Sequence, residues 1–361
     1  MNICNSADLD WIEQNGLDKE DIKKILNKVI DREQDIKNPI FYKLLKNYVS
    51  DIPPVPKYNF LLGCASFVYL VSEKYNKKIL LLGDIHIPHE FKNNKNSITC
   101  TSYFEKYFNT NTKLIDFFIE IPLYTSSVDL KDSELSYFYH KFIGCYKHRN
   151  CSFRIHATDV RELLNQHNLY KDLVLPVLMP LMRSLEQNNF VKAKNLSFLI
   201  EHINDIGEYL SSDRFINNIP LGKEIRKIEN KDLKRNLENF YKNSCSTLKL
   251  SGKKMYLDIS EELQKKPPDL DRRRNIINIY TSSILYLLSR VIEAYTLARM
   301  FKKVKGLYNP EPKYIVVFQG DAHIKNLQLF LLFQGFQIKF EKHVDHLRII
   351  DISTLPQPIF E

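Results

Sequence analysis

The stretch KKILLLGDIH, residues 77–86, decides how the rest of the chain reads. A short apolar run with no helical period ends on a glycine, an acid and, two residues beyond the acid, an imidazole. The stretch YIVVFQGDAH, residues 314–323, repeats that grammar more than two hundred residues later. Runs this short, apolar and in part β-branched suit strands covered on both faces, the habit of a parallel sheet. Each run ends in GDxH, where glycine permits a tight exit from the strand or close approach of backbone to a ligand.

Working outward, ASFVYLVSE (65–73) precedes the first run across a polar KYN tip, which predicts a hairpin. KLIDFFIEI (113–121) and SFRIHATD (152–159) are two further β-type runs. Helical stretches fall between them, at about 99–109, 131–147, 160–168 and 323–334. Strands alternating with helices predict an α/β fold whose central sheet, mostly parallel or mixed, is flanked by helices. Residues 170–303 carry no convincing strand and read as a large helical insertion. Within it, Ile277, Tyr280, Ile284, Leu287, Val291, Tyr295 and Ala298 form a packed stripe on a helix expected from about 275 to 303.

Residues 1–56 read as an N-terminal helical segment and a connector. Ile22, Ile25, Leu26, Val29 and Ile30 share one helical face, with Asp18 placed to cap it, and Asn38-Pro39 restarts a second helix. The proline-rich DIPPVP then forms the extended link. Residues 57–361 are expected to be a single α/β domain that includes the insertion.

The net charge is +9, but Lys and Arg are interleaved with Asp and Glu, as in DKEDIKK and NKDLKRNLEN. That pattern predicts a solvated helical surface, and nucleic acid is not indicated as a partner. Only 10 glycines, against 20 Tyr and 22 Phe, argue for aromatic packing and against backbone-lined phosphate loops. Cys4, Cys64, Cys100, Cys145, Cys151 and Cys245 show neither zinc spacing nor a disulfide framework, and are expected to be reduced thiols. The N-terminus has no basic and apolar leader. The most apolar run, LVLPVLMPLM at 173–182, is about half the ~20 residues a membrane span requires. A cytoplasmic protein without a membrane span is the expectation.

Four runs end in ionisable residues, and in open α/β sheets ligands bind where the carboxyl ends of strands converge. The first is followed by Asp84, His86, His89 and Glu90; the next ends on Glu120; the third ends on Asp159, with Arg161 next but one; the last is followed by Asp321 and His323. His86, His323 and Glu120 together would make an open three-ligand metal site, with room for a water that the metal acidifies. Asp84, Glu90 and Asp321 are the candidates for moving protons. His89, Asp159 and Arg161 are placed around that set; for Asp159 and Arg161, mutual pairing or helix capping is the bland alternative. His343 and His346 lie on a β-type edge and are expected to do no chemistry, while His140, His148, His156, His167 and His202 have no matching company.

These residues resemble the superfamily that unites Tiki proteases, TraB/PrgY proteins, erythromycin esterases and ChaN-like haem-binding proteins. Gly83–His86 and Gly320–His323 fit its early and late GxxH motifs, and Glu120 fits its acid after an intervening strand. The hairpin before the first motif and the stretch GDAHIKNLQLFLLFQGFQIKF look like the TraB/Tiki branch. His86-x-x-x-Glu90-Phe91 is similar to the HGxxEF of the esterases, and the helix with Arg299-Met300 is similar to a charged helix of that branch. The likeness covers roughly residues 60–160 and 275–350. Asp84 departs from both branches, so the branch and the substrate stay open. The resemblance implies a divalent metal and hydrolysis of a peptide or ester bond, or haem binding without turnover.

Two other readings stand beside the hydrolase. GDIHIPHE resembles the opening motif of calcineurin-like phosphoesterases, but the chain has no GNH element and no late GHxH. The scaffold could also serve a binding or interaction protein, with block 170–303 as the partner surface. Substrate, metal and oligomeric state are not legible.

Overall fold

The computed structural model describes residues 57–85, 96–110, 114–122, 134–148, 153–160, 205, 208–210, 212–264, 269–302, 311–344, 348–357 and 359–360. The helices expected in 1–50 and 160–168 lie outside these residues, as do His86, His89, Glu90, Arg161, His167, His202 and His346. The chain divides into two compact units. One comprises Met1–Ile121, Thr125–Thr158 and Lys303–Glu361; the other comprises Pro122–Tyr124 and Asp159–Lys302.

Among the described residues, the first unit carries two sheets. Its strands are β1 (Phe60–Leu62), β2 (Ser66–Ser72), β3 (Lys77–Asp84), β4 (Ser97–Thr99), β5 (Ile115–Pro122), β6 (Arg154–Asp159, the last residue passing into the second unit), β7 (Tyr314–Gly320), β8 (Gln337–His343) and β9 (Ile349–Asp351). The large sheet has the order β6-β5-β7-β3-β2-β8, and a small one has the order β4-β1-β9. β7 pairs in parallel with both β3 and β5, whereas β2 is antiparallel to β3 and to β8. The fold is therefore α/β with a mixed sheet. The predicted hairpin is β2–β3, turned at Asn76, whose φ of 48° is a conformation asparagine tolerates in turns.

The apolar runs are strands for the reason their composition suggests. Ile79 to Leu82 and Ile115, Phe117, Phe118 and Ile119 are all buried, as are Ile315 to Phe318. Helices α1 (Cys100–Thr110) and α2 (Glu134–His148) supply aromatics to one face. Phe117 meets Phe108 at 5.1 Å and Phe138 at 5.3 Å between ring centroids, and Phe138 meets Phe318 at 4.4 Å. Each buried ring of this kind contributes roughly 1.5–3 kcal/mol. Strand β8 closes the sheet at one edge, and its side chains are exposed except for the half-buried Phe340.

In the second unit the described elements are helical: α3 (Asp213–Asn218), α4 (Pro220–Arg226), α5 (Lys231–Gln264) and α6 (Leu270–Phe301). Asp269 caps α6 by accepting from Arg272 N–H at 3.0 Å. The expected stripe from Ile277 to Ala298 is buried throughout. A last helix, α7 (Asp321–Phe333), returns to the first unit directly after β7. Among the described residues, no helix is long and apolar enough to cross a membrane.

One expectation fails here. Cys64 and Cys100 form a disulfide, with Cα atoms 6.7 Å apart across 36 residues. Nothing in that spacing announces it. The bond arises because β1 and β4 pair in parallel with Leu62 opposite Thr99, which delivers the residues just beyond each strand to the same place.

Candidate active site at the strand ends

Parallel pairing of β3 with β7 sets Gly83 opposite Gln319 and Asp84 opposite Gly320. The two GDxH motifs thus leave the sheet side by side, in the same direction. On the far side of β7, Ile119 lies opposite Phe318, so Glu120 follows level with Gln319. Ser66 of β2 faces Gly83, and His343 of β8 faces Ser66. One row across the sheet therefore reads His343, Ser66, Gly83, Gln319, Glu120. Side chains alternate along a strand, so this row shares a face while Asp84 turns to the opposite one.

Glu120 is the centre of the described chemistry. It is buried, and its Oε2 accepts from Gly320 N–H at 2.8 Å. Its Oε1 stands 3.6 Å from His323 Nε2, within ion-pair reach but longer than a good hydrogen bond. His323 lies in the first turn of α7 and is 12% exposed at its side chain. Asp321, the first residue of that helix, directs Oδ2 to Lys325 Nζ at 2.7 Å. Among the described residues, its buried Oδ1 meets no hydrogen-bond partner, nor does Ser66 Oγ.

Gly83 explains how these atoms come so close. A Cβ there would lie 2.2 Å from Ser66 Oγ, 2.6 Å from Asp321 Oδ1 and 3.0 Å from Asp321 Cα. The glycine of the first motif therefore makes room for the helix start that follows the second. Gln319 continues the seam: its Nε2 donates to Thr158 Oγ1 at 2.8 Å, and Thr158 donates to the Ile119 carbonyl at 3.0 Å.

Asp84, a candidate for proton transfer, has its carboxylate buried in an ion pair with Arg348. Strand alternation turns it away from Glu120, and that pairing makes it an anchor. Arg348 itself escaped the sequence reading. It has a φ of 50° and follows the edge strand without any periodic signal.

His156 is a second correction, since it does have company. Its Nε2–H donates to Asp116 Oδ1 at 2.6 Å, and its ring stacks on Phe118 at 4.4 Å. Arg154 grips the same carboxylate through Nε at 2.7 Å and Nη2 at 2.6 Å. Burial pushes the Asp116 carboxyl up, but Arg154 and His156 outweigh it and hold the group below the ordinary carboxylate range. Asp116 lies opposite Ile315, near the amino ends of β5 and β7, and so belongs to a different place.

Of the remaining candidates, Asp159 is buried at the end of β6 and Arg299 lies in the second unit, where its Nη1 donates to Tyr295 Oη at 2.9 Å. His343 ends the edge strand beside Glu341 Oε1 at 2.7 Å, and His140 is exposed on α2. Among the described residues, no three His, Cys, Asp or Glu side chains gather in a way that could hold a metal ion. Glu120 and His323 are two of the expected three ligands; the third, His86, lies outside those residues. Compared with known proteins, the chain matches no family model, no curated protein and no solved structure.

Proposed function

We propose that the carboxyl ends of β3, β5 and β7 form the site of a metal-dependent hydrolase acting on a peptide or ester bond. The observation that carries this is the meeting of Glu120 and His323, 3.6 Å apart, beside two GDxH motifs leaving adjacent parallel strands in register. His86 follows Asp84 by two residues and would complete the set. An imidazole–carboxylate set of this kind suits a first-row divalent ion. The donors fit such an ion in one further respect: Gly320 N–H fixes one oxygen of Glu120 and leaves the other turned toward His323, as outer contacts do for metal-binding carboxylates. When bound, the metal would polarise the scissile carbonyl and lower the pKa of a water.

The chain's own residues would do the rest. Glu120 and His323 orient one another, with the buried Ser66 and Gln319 in the same row as Glu120. With Asp84 committed to Arg348, proton transfer falls to Asp321 and to Glu90. The test is a metal titration with a panel of esters and peptides, run on wild type, H86A and H323A. Metal-dependent turnover lost in both variants supports the reading. Equal behaviour of metal-replete wild type and H86A would refute it.

A further inference from the structure

Arg348 sits where three segments of the first unit meet. Its backbone takes the left-handed conformation, with φ at 50°, which a non-glycine residue adopts only at a cost. Its carbonyl accepts from Gly63 N–H at 2.9 Å, and the next residue, Ile349, opens β9 opposite Leu62 of β1. From that turn the guanidinium reaches across to Asp84 at the end of β3, and both side chains are almost wholly buried. Sequence separation between the partners is 264 residues, so no local preference maintains the pair.

The position of Asp84 gives the pair its meaning. Asp84 is in register with Gly320, whose N–H holds Glu120 Oε2 at 2.8 Å. A short path of direct contacts therefore runs from Arg348 through Asp84 and Gly320 to Glu120. The grip comes from the face of β3 opposite the site. On the site's own face Gly83 has no side chain to hold the strand in place, and Ser66 and Asp321 press close against it. A strand end bare on one side and clamped on the other is set by its clamp.

We propose that Arg348 is a positioning residue for the strand-end site: it fixes Asp84 from behind, and through that fixes β3 against Gly320 and Glu120. The inference deepens the hydrolase reading and rests on it for its importance to metal binding. The clamp itself stands on the ion pair alone.

The experiment uses the full chain as wild type, R348K and R348M, with cobalt(II) as the probe. Amide exchange is followed at Gly83–Ile85 and, for reference, at residues 115–121 of β5. Loss of the clamp is expected to speed exchange at Gly83–Ile85 about tenfold while β5 holds. It should weaken cobalt binding by about tenfold or more and alter the cobalt visible spectrum. R348K, which keeps a cation, should recover much of both. Should R348M fail to fold, the smaller change in R348K is read in the same two measurements. Unchanged exchange at Gly83–Ile85 overturns the proposal, as does exchange that rises equally in β5, or a cobalt spectrum and affinity equal to wild type in R348M. A wild type that binds no cobalt sinks the hydrolase reading instead, and exchange alone then decides whether Arg348 sets the strand end.

Discussion

Strand β5 carries two acids, Asp116 near its start and Glu120 near its end, four residues apart and so on one face. Each meets a histidine. At the amino end, Asp116 is saturated: Arg154 takes both carboxylate oxygens, and His156 shares one of them at 2.6 Å while stacking on Phe118. At the carboxyl end, Glu120 has one oxygen on a backbone N–H, and the other faces His323 at the looser distance of 3.6 Å. The difference teaches that an acid–histidine pair is not chemistry by itself. Where a permanent cation closes the acid's coordination, the pair is a girder. Where a backbone N–H holds the acid instead, its histidine stands farther off, at 3.6 Å.

The largest expected effect lies at the carboxyl end of β5. H323A or E120Q, each removing a proposed metal ligand, should reduce metal-dependent turnover by more than the roughly 10–100-fold that losing an outer partner of such a ligand costs. Thermal melting should shift little, and steady-state kinetics beside a melting curve would check both. A similar loss from H156A, with H323A active, would reverse the assignment of the two ends.

The closed end should fail differently. D116N removes the fully buried charge that the part-buried Arg154 grips, and breaking such a pair from one side costs about 3 kcal/mol. Urea unfolding would measure this, with cobalt affinity of the folded fraction unchanged. The same group has a pH signature. Because Asp116 is depressed in the folded state, its contribution is fully present above the unfolded carboxylate pKa of about 3.9. It is lost as pH falls through the lower folded value. The wild-type advantage over D116N should therefore hold from neutrality to about pH 4 and shrink only in stronger acid.

Between β1 and β4 the support is covalent. Closing a loop of 36 residues between Cys64 and Cys100 stabilises by roughly 3–4 kcal/mol on loop-entropy grounds. C64S/C100S should lose about that much in unfolding experiments, and thiol counting on the denatured wild type should find the pair oxidised. The smallest effect is G83A. Its added methyl meets Ser66 Oγ, Asp321 Oδ1 and Asp321 Cα, and such overpacking costs about 1–3 kcal/mol. G83A/S66A should recover only part of the loss, because the helix backbone at Asp321 remains in the way.

Much of this was legible in the chain. The strands at 77–84 and 314–320 announce themselves by unbroken apolar runs, and the stripe from Ile277 to Ala298 by its period. Glu120 and His323 could be paired in advance because strand ends in such sheets converge. The remainder depends on encounters that no local pattern encodes. Strands β1, β4 and β9 are three residues each, too short to show alternation, yet they bring Cys64 to Cys100 and Arg348 to Asp84. His156 was passed over because its partner lies 40 residues earlier, inside a run that reads as apolar. The pairing of Asp84 with Arg348 is not legible because GDxH gives the order of residues but not the pleat, and the pleat sends acid and glycine to opposite faces.

The exposed side chains of β8 have a consequence of their own. An outermost strand presents unpaired backbone groups that invite a neighbouring molecule to add on, the first step toward fibrous assembly. Here that rim carries Lys339, Glu341, Lys342 and His343, and an incoming strand would have to strip water from several charges to dock. The sheet's rim discourages its own extension.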